Sequence, residues 1–244
     1  MERIDLPGGV YRLDFQGGDD PLFCDDASFG AAPELASSLV RGGEAGALLL
    51  CGPTCSGKSH LLRALLREEE LLREGKAGNY RIAEEWILEQ AQHPSGEKER
   101  RARDASSEQP VLVLEDLQFL RGKRATLRFL AGSVRESLKQ GRSVLLVSDV
   151  LFPELTAITE EWKRGGLPAS SLTIGHPGRA CRRAYAEACG RRLGLRPEPA
   201  LLDRLSLEHK TICALRSALL STSLETAVSG FSDAELPAAE EAIP

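Results

Sequence analysis

The sequence predicts an α/β fold, a parallel β-sheet flanked by helices and followed by a small three-helix lid. Five short apolar runs recur along the chain, at 47–51, 79–83, 111–114, 143–148 and 172–174. Helical periodicities over 59–73, 84–92 and 125–139 separate them, and this alternation builds sheets of parallel strands. Those that read as buried strands, such as 47–51 and 111–114, are continuously apolar, as strands covered on both faces require.

Taken in order, residues 1–28 hold glycine pairs at 8 and 17, acidic pairs at 19 and 25, and no sustained periodicity. They predict an extended N-terminal arm. A short helix is expected over 31–40, inside an α/β core spanning 29–177. The polar segment 94–109 reads as a loop or frayed helix. Pro177-Gly178 then breaks the pattern, and residues 178–224 read as a helical lid. Over 179–193, Cys181, Ala184, Tyr185, Ala188, Cys189 and Leu193 fall on one stripe, the spacing of an amphipathic helix. Pro197 opens a second helix carrying Leu201, Leu202 and Leu205, since proline is well placed in a first turn. A third, over 211–223, carries Ile212, Leu215, Leu219 and Leu220. Residues 225–244 are acidic among Ala, Ser and Pro, a composition expected to be disordered.

With 244 residues, 42% of them hydrophobic and 27% charged, the chain can bury a sizeable core. None of its apolar runs approaches the ~20 residues of a membrane span, so no membrane partner is expected. The N-terminus lacks a signal-peptide pattern, and the six cysteines show neither CxxC nor His pairing. Neither a zinc site nor a disulfide framework is therefore expected, and the cytoplasm is the economical location. A net charge of −5 does not favour nucleic-acid binding overall. Two basic clusters stand out locally: Lys98, Arg100, Arg101 and Arg103, then Arg179, Arg182, Arg183, Arg191, Arg192 and Arg196. Such clusters are ordinarily solvated faces.

The chemistry begins at Gly52-Pro53-Thr54-Cys55-Ser56-Gly57-Lys58-Ser59, followed by His60. A strand that runs through a glycine-bearing turn into a helix N-terminus gathers backbone N–H donors around one point, where the helix dipole also favours negative charge. That is a phosphate nest. Lys58 would reach the β- and γ-phosphates of ATP or ADP, and the Ser59 hydroxyl would hold Mg2+. At Val111-Leu112-Val113-Leu114-Glu115-Asp116 an apolar strand ends in two carboxylates. Glu115 is the metal-side candidate, and Asp116 the one that would activate water. Ser148-Asp149 closes the next apolar run, where Asp149 is placed to sense the γ-phosphate.

These residues resemble a family. The P-loop and its continuation His60-Leu61-Leu62 are similar to those of the bacterial replication initiator DnaA. Glu115-Asp116-Leu117-Gln118-Phe119, with Gly122-Lys123 after it, resembles that family's Walker B block. Ser148-Asp149, with Pro153 and Leu155, is similar to its sensor I segment, and 28–36 is a weaker echo of the strand bordering adenine. The resemblance spans about 25–223 and implies an AAA+ P-loop ATPase core with a helical lid. It also implies partnership with another AAA+ subunit, either a second copy or the replication initiator.

The departures matter too. Glu115 stands where the family has aspartate, which implies slow hydrolysis. The family's arginine finger has no clean register here, and Arg164 is the only candidate. Cys213 occupies the position expected for the lid's sensor II arginine, and Arg216 lies about a turn further on. Nothing reads as the initiator's helix-turn-helix domain or as the clamp-binding peptide of Hda-like regulators. An ATP-dependent switch in replication initiation or its regulation is thus the leading expectation. A single-stranded DNA-binding module using Lys98 to Arg103 is the alternative. A small-molecule kinase fits less well, because kinases of this size usually insert the lid within the core.

Overall fold

The computed structural model describes residues 1–15, 21–42, 44–72, 79–91 and 111–230. Its centre is a parallel sheet of β4 (Ala47–Cys51), β5 (Asn79–Ile82), β6 (Val111–Glu115), β7 (Ser143–Ser148) and β8 (Ala169–Thr173), in the order β5-β6-β7-β4-β8. Every residue of β4 and of β7 is buried, which is why β4 and the interior of β7, 144–147, are continuously apolar. Strand β8 starts earlier than its apolar signal, at Ala169 instead of 172. It is an edge strand with exposed serines, and half-exposed strands carry a weak hydrophobic signature.

Helices cover both faces. The face bearing Leu48 and Leu50 packs against Leu61, Leu62 and Leu65 of α3 (Lys58–Leu72) and against Ala36 and Val40 of α2 (Ala32–Val40). A four-residue helix, α1 (Asp26–Phe29), precedes α2. The opposite face, with Leu49 and Cys51, packs against α4 (Ala83–Ala91), α5 (Arg124–Lys139) and α6 (Pro153–Arg164) through Trp86, Leu130, Val134, Leu155 and Trp162. Adjacent residues of β4 thus serve different cores, the period of two intrinsic to a strand.

Within the stretch 1–28, expected as an extended arm, three strands form an antiparallel sheet: β1 (Glu2–Leu6), β2 (Val10–Asp14) and β3 (Leu22–Asp25). Tyr11 is opposite Cys24 and Leu13 opposite Leu22, and all four belong to the core cluster of the main sheet. Val10 and Phe23 project the other way, into the lid. The small sheet is therefore wedged between core and lid. Strands of four or five residues are too short to show their alternation above the noise of sequence.

The three lid helices are present as expected: α7 (Arg179–Arg192), α8 (Pro199–Glu208) and α9 (Ile212–Gly230). Cys181, Tyr185, Cys189, Leu202, Leu205, Leu215 and Leu219 fill their core, with the Phe23 and Tyr185 rings edge-on at 6.3 Å. Arg182 is not part of a solvated face. It is 7% exposed, donating from Nε and Nη2 to the Ser206 carbonyl and from Nη1 to that of Pro177. A buried guanidinium so satisfied braces the start of the lid. Helix α9 runs on to Gly230, past the expected lid end at 224. The tail beyond 230 and the basic segment 98–103 lie outside the described residues. Among the described residues, no helix is long and apolar enough to cross a membrane.

Candidate functional site

All five strands of the main sheet are parallel, so their C-terminal ends share one edge, where ligands of such sheets bind. The turn from β4 into α3 lies there. Gly52 and Gly57 have positive φ, 156° and 105°, and both are tightly enclosed. A Cβ on Gly52 would stand 2.3 Å from the Ile174 carbonyl oxygen, and one on Gly57 2.9 Å from Cζ of Phe29. Only glycine fits either place. Between them Cys55 takes a left-handed conformation, φ 61°, uncommon outside glycine.

Lys58, 4% exposed, is the electrostatic centre. Its Nζ donates to the Gly52 and Pro53 carbonyls at 2.6 and 2.9 Å and pairs with Asp149 Oδ1 at 3.0 Å. Ser56 Oγ is a longer contact at 3.4 Å. Thr54 Oγ1 donates to the other Asp149 oxygen at 2.7 Å. Burial acts to raise the Asp149 carboxyl, but the hydrogen bonds from Thr54 and Lys58 and the Lys58 charge outweigh it, leaving it below its ordinary value. Asp149 is thereby held at the mouth of the loop, ionised, as the end of β7 dictates.

The two acids come at the end of β6, one strand removed from β4, because β7 lies between the two. Glu115 closes β6 and is 5% exposed. Its Oε2 accepts from Nη2 of Arg63 at 3.3 Å, while Oε1 is buried with no hydrogen-bond partner. Arg63 follows Ser59 by four residues, so α3 turns both toward the same side. The Arg63 Nε donates to the Tyr80 hydroxyl at 2.9 Å, and its guanidinium lies over that ring. Asp116 adopts a left-handed backbone, φ 63°, which aspartate tolerates. Its Oδ1 accepts from Gln118 Nε2 at 2.9 Å, and the Gln118 Oε1 accepts from the Asp149 backbone N–H at 3.1 Å. Gln118 thus ties the second acid to the end of β7. Neither it nor Arg63 was singled out from sequence for a role, although Arg63's helical spacing from Ser59 was a readable signal.

The donor set fits a small divalent ion. A buried carboxylate oxygen of Glu115 without a partner and the Ser59 hydroxyl in the first turn of α3 are the hard oxygens that would suit Mg2+. Among the described residues, no three His, Cys, Asp or Glu side chains converge as a self-sufficient metal cage. Half-buried His60 follows in the first turn of α3. Arg164 lies elsewhere. It ends α6, which starts just past β7 at the loop edge and returns toward Ala169, the residue paired with Ala47 at the opposite edge. The twelve residues of that helix carry Arg164 ~18 Å from the helix's start, at the end away from the loop edge.

On the lid side the expectation of no disulfide is overturned. Cys55 of the P-loop is bonded to Cys213, with Cα atoms 5.9 Å apart and a sequence separation of 158. Spacing rules detect local cysteine patterns, whereas this pair is made by the fold, which lays the first turn of α9 over the loop.

A family model described as the bacterial DnaA ATPase domain matches residues 25–165. No curated protein matches. Among solved structures, domain III of the replication initiation protein DnaA from Thermotoga maritima is similar at a TM-score of 0.65 and 17% identity, covering 85% of this chain and 91% of that one. A replication initiator DnaA bound to AMPPCP and single-stranded DNA is similar at a TM-score of 0.66 and 18% identity, covering 83% of this chain and 65% of that one. AMPPCP-bound DnaA from Aquifex aeolicus is similar at a TM-score of 0.62 and 19% identity, covering 81% and 64%. The chain spans a little under two thirds of the last two. Identities this low show the fold alone, an α/β P-loop core.

Proposed function

This chain belongs to the bacterial DnaA ATPase-domain family, and from that premise we propose that it is an AAA+ nucleotide switch in replication initiation or its regulation. It binds ATP or ADP with Mg2+, and the bound nucleotide decides whether it docks on another AAA+ subunit, a second copy or the replication initiator. The observation that carries this reading is the buried Lys58, gathered with Asp149 at a glycine turn that tolerates no Cβ.

In this reading Gly52, Pro53, Thr54, Cys55, Ser56 and Gly57 present backbone donors to the phosphates, and Lys58 exchanges its carbonyl and carboxylate partners for phosphate oxygens. Ser59 and Glu115 hold the metal, whose charge offsets that of the β- and γ-phosphates, and His60 supports the first turn of α3. Asp149, released by Lys58, faces the γ-phosphate. Asp116, held by Gln118, orients water. Hydrolysis is slow, since Glu115 is also claimed by Arg63. Arg164, remote from its own loop, serves only a nucleotide held by a neighbouring subunit. The setting is cytoplasmic.

Mixing the purified protein with the replication initiator of its own cell and following ATP hydrolysis by both tests the switch. A nucleotide-dependent change in the initiator's rate is expected, and an unchanged rate with ATP, ADP or no nucleotide would contradict it. One relative is described bound to single-stranded DNA, which favours a second reading in which Lys98, Arg100, Arg101 and Arg103 contact DNA phosphates. Binding would then weaken steeply with salt, and none at low salt excludes it.

A further inference from the structure

Five observations converge on the Cys55–Cys213 pair. Cys55 occupies the middle of the P-loop in a left-handed conformation, and Cys213 lies in the first turn of α9. Their bond is therefore a covalent tether between the loop and the lid. Cys213 is exposed and Cys55 half-buried, so reagents in solution reach the bond. The other four cysteines, Cys24, Cys51, Cys181 and Cys189, are buried free thiols. Burial pushes Cys51 up to about 11 and Cys181 up to about 12, and raises Cys24 as well, which leaves those three poor nucleophiles. Finally, Lys58 is folded inward onto Gly52, Pro53 and Asp149, so the tethered loop already has its cation occupied by protein acceptors.

A triphosphate must enter between the loop and the helix laid over it. With α9 bonded to the loop's middle residue, the lid cannot withdraw by more than the reach of one disulfide, and Cys55 cannot turn its backbone independently of α9. We infer that Cys55 and Cys213 form a thiol–disulfide site that gates the P-loop, the disulfide closing it to nucleoside triphosphate and reduction by a dithiol opening it. This rests on the nucleotide reading above and adds its regulation. In a cytoplasmic setting, disulfides are as a rule redox-active instead of structural.

The chemistry balances as ordinary exchange. One thiolate of the dithiol attacks the exposed Cys213 Sγ, the Cys55–Cys213 bond breaks, and Cys55 leaves as a thiolate among the N–H donors of the nest. The second thiolate attacks the mixed disulfide, expelling Cys213 and closing the reductant into its own disulfide. Two electrons pass from the dithiol to the two cysteine sulfurs, which take up two protons. An oxidant of the diazenedicarboxamide class reverses the change, accepting both electrons and both protons.

The test uses the full chain in two preparations, one treated with diamide and one with dithiothreitol, each then desalted. Iodoacetamide labelling without denaturant, followed by peptide mass, reports the state: Cys55 and Cys213 should be labelled only in the reduced sample. Each preparation is titrated with ATP and Mg2+ by calorimetry. The reduced protein should bind at least about tenfold more tightly, since a binder pays for any fraction held in an incompetent state. Cys213→Ser and Cys213→Ala should both bind like the reduced protein whatever the treatment. Equal or tighter binding by the oxidised protein, labelling of both residues after diamide, or a continuing response to reductant in both variants would each overturn the gate. No uptake by any sample would overturn the nucleotide reading itself, and the gate with it.

Discussion

The two flanks of the P-loop are closed by different kinds of bond. Toward the sheet, Lys58 and Thr54 meet Asp149 at 3.0 and 2.7 Å, and Arg63 meets Glu115 at 3.3 Å, contacts that phosphate or metal can displace by offering better partners. Toward the lid, Cys55 is joined to Cys213 covalently, and no phosphate concentration breaks that bond. One flank therefore answers to ligand and the other to electrons. A single loop between them can integrate both.

Breaking the covalent flank should have the largest effect on stability. Closing a 158-residue loop corresponds to about 5 kcal/mol in the chain-entropy model. Urea unfolding of the protein with and without dithiothreitol, and of Cys213→Ser, should show a loss of that order. A loss below about 1 kcal/mol would mean the lid flank contributes no more than a surface ion pair.

The polar flank can be probed through Arg63, whose side chain is half exposed while Glu115 is buried. Arg63→Met should lower stability by about 1 kcal/mol without ligand, because the buried Glu115 carboxylate then loses the hydrogen bond that Arg63 gives its Oε2. Mg2+ with ATP should raise the melting temperature of this variant more than that of the wild type, as the metal takes over the freed oxygens. An equal rise in both would show that Glu115 does not face the metal.

Acid provides the mildest perturbation. The folded-state value of Asp149 is depressed, so its contribution is fully present above the ordinary aspartate value of 3.8 and is lost as pH falls through the lower folded value. Unfolding curves followed from about pH 5 down to about pH 2 should fall more steeply for the wild type than for Asp149→Asn. Parallel curves would indicate that the contact with Lys58 is screened out by solvent, to which Asp149 is about one third exposed.

The same contrast explains what could be read from sequence. The loop, the acids and the end of β7 announce themselves because phosphate and metal chemistry demands particular residues at fixed spacing, and buried strands must be continuously apolar. Position across the sheet is not written that way, so the placement of β7 between the loop strand and the acid-bearing strand emerges only from the topology. The antiparallel sheet of β1, β2 and β3 escaped notice because its alternation, Tyr11 and Leu13 against Val10, spans few residues. Arg182 read as one of a basic run, yet its backbone-carbonyl partners are supplied by the hinge at Pro177 and the end of α8. The Cys55–Cys213 bond was the hardest to foresee, since each cysteine looks like an isolated substitution until the lid is folded over the loop.

Calorimetric titration of the reduced protein with ATP and Mg2+, set beside the same titration of Lys58→Ala, tests the nucleotide site most directly. Saturable, Mg2+-dependent binding by the wild type is expected, with affinity falling by roughly a hundredfold or more in Lys58→Ala, because the lysine supplies the charge-assisted bonds to phosphate. Undiminished affinity in Lys58→Ala, or no uptake by the reduced wild type, would contradict it.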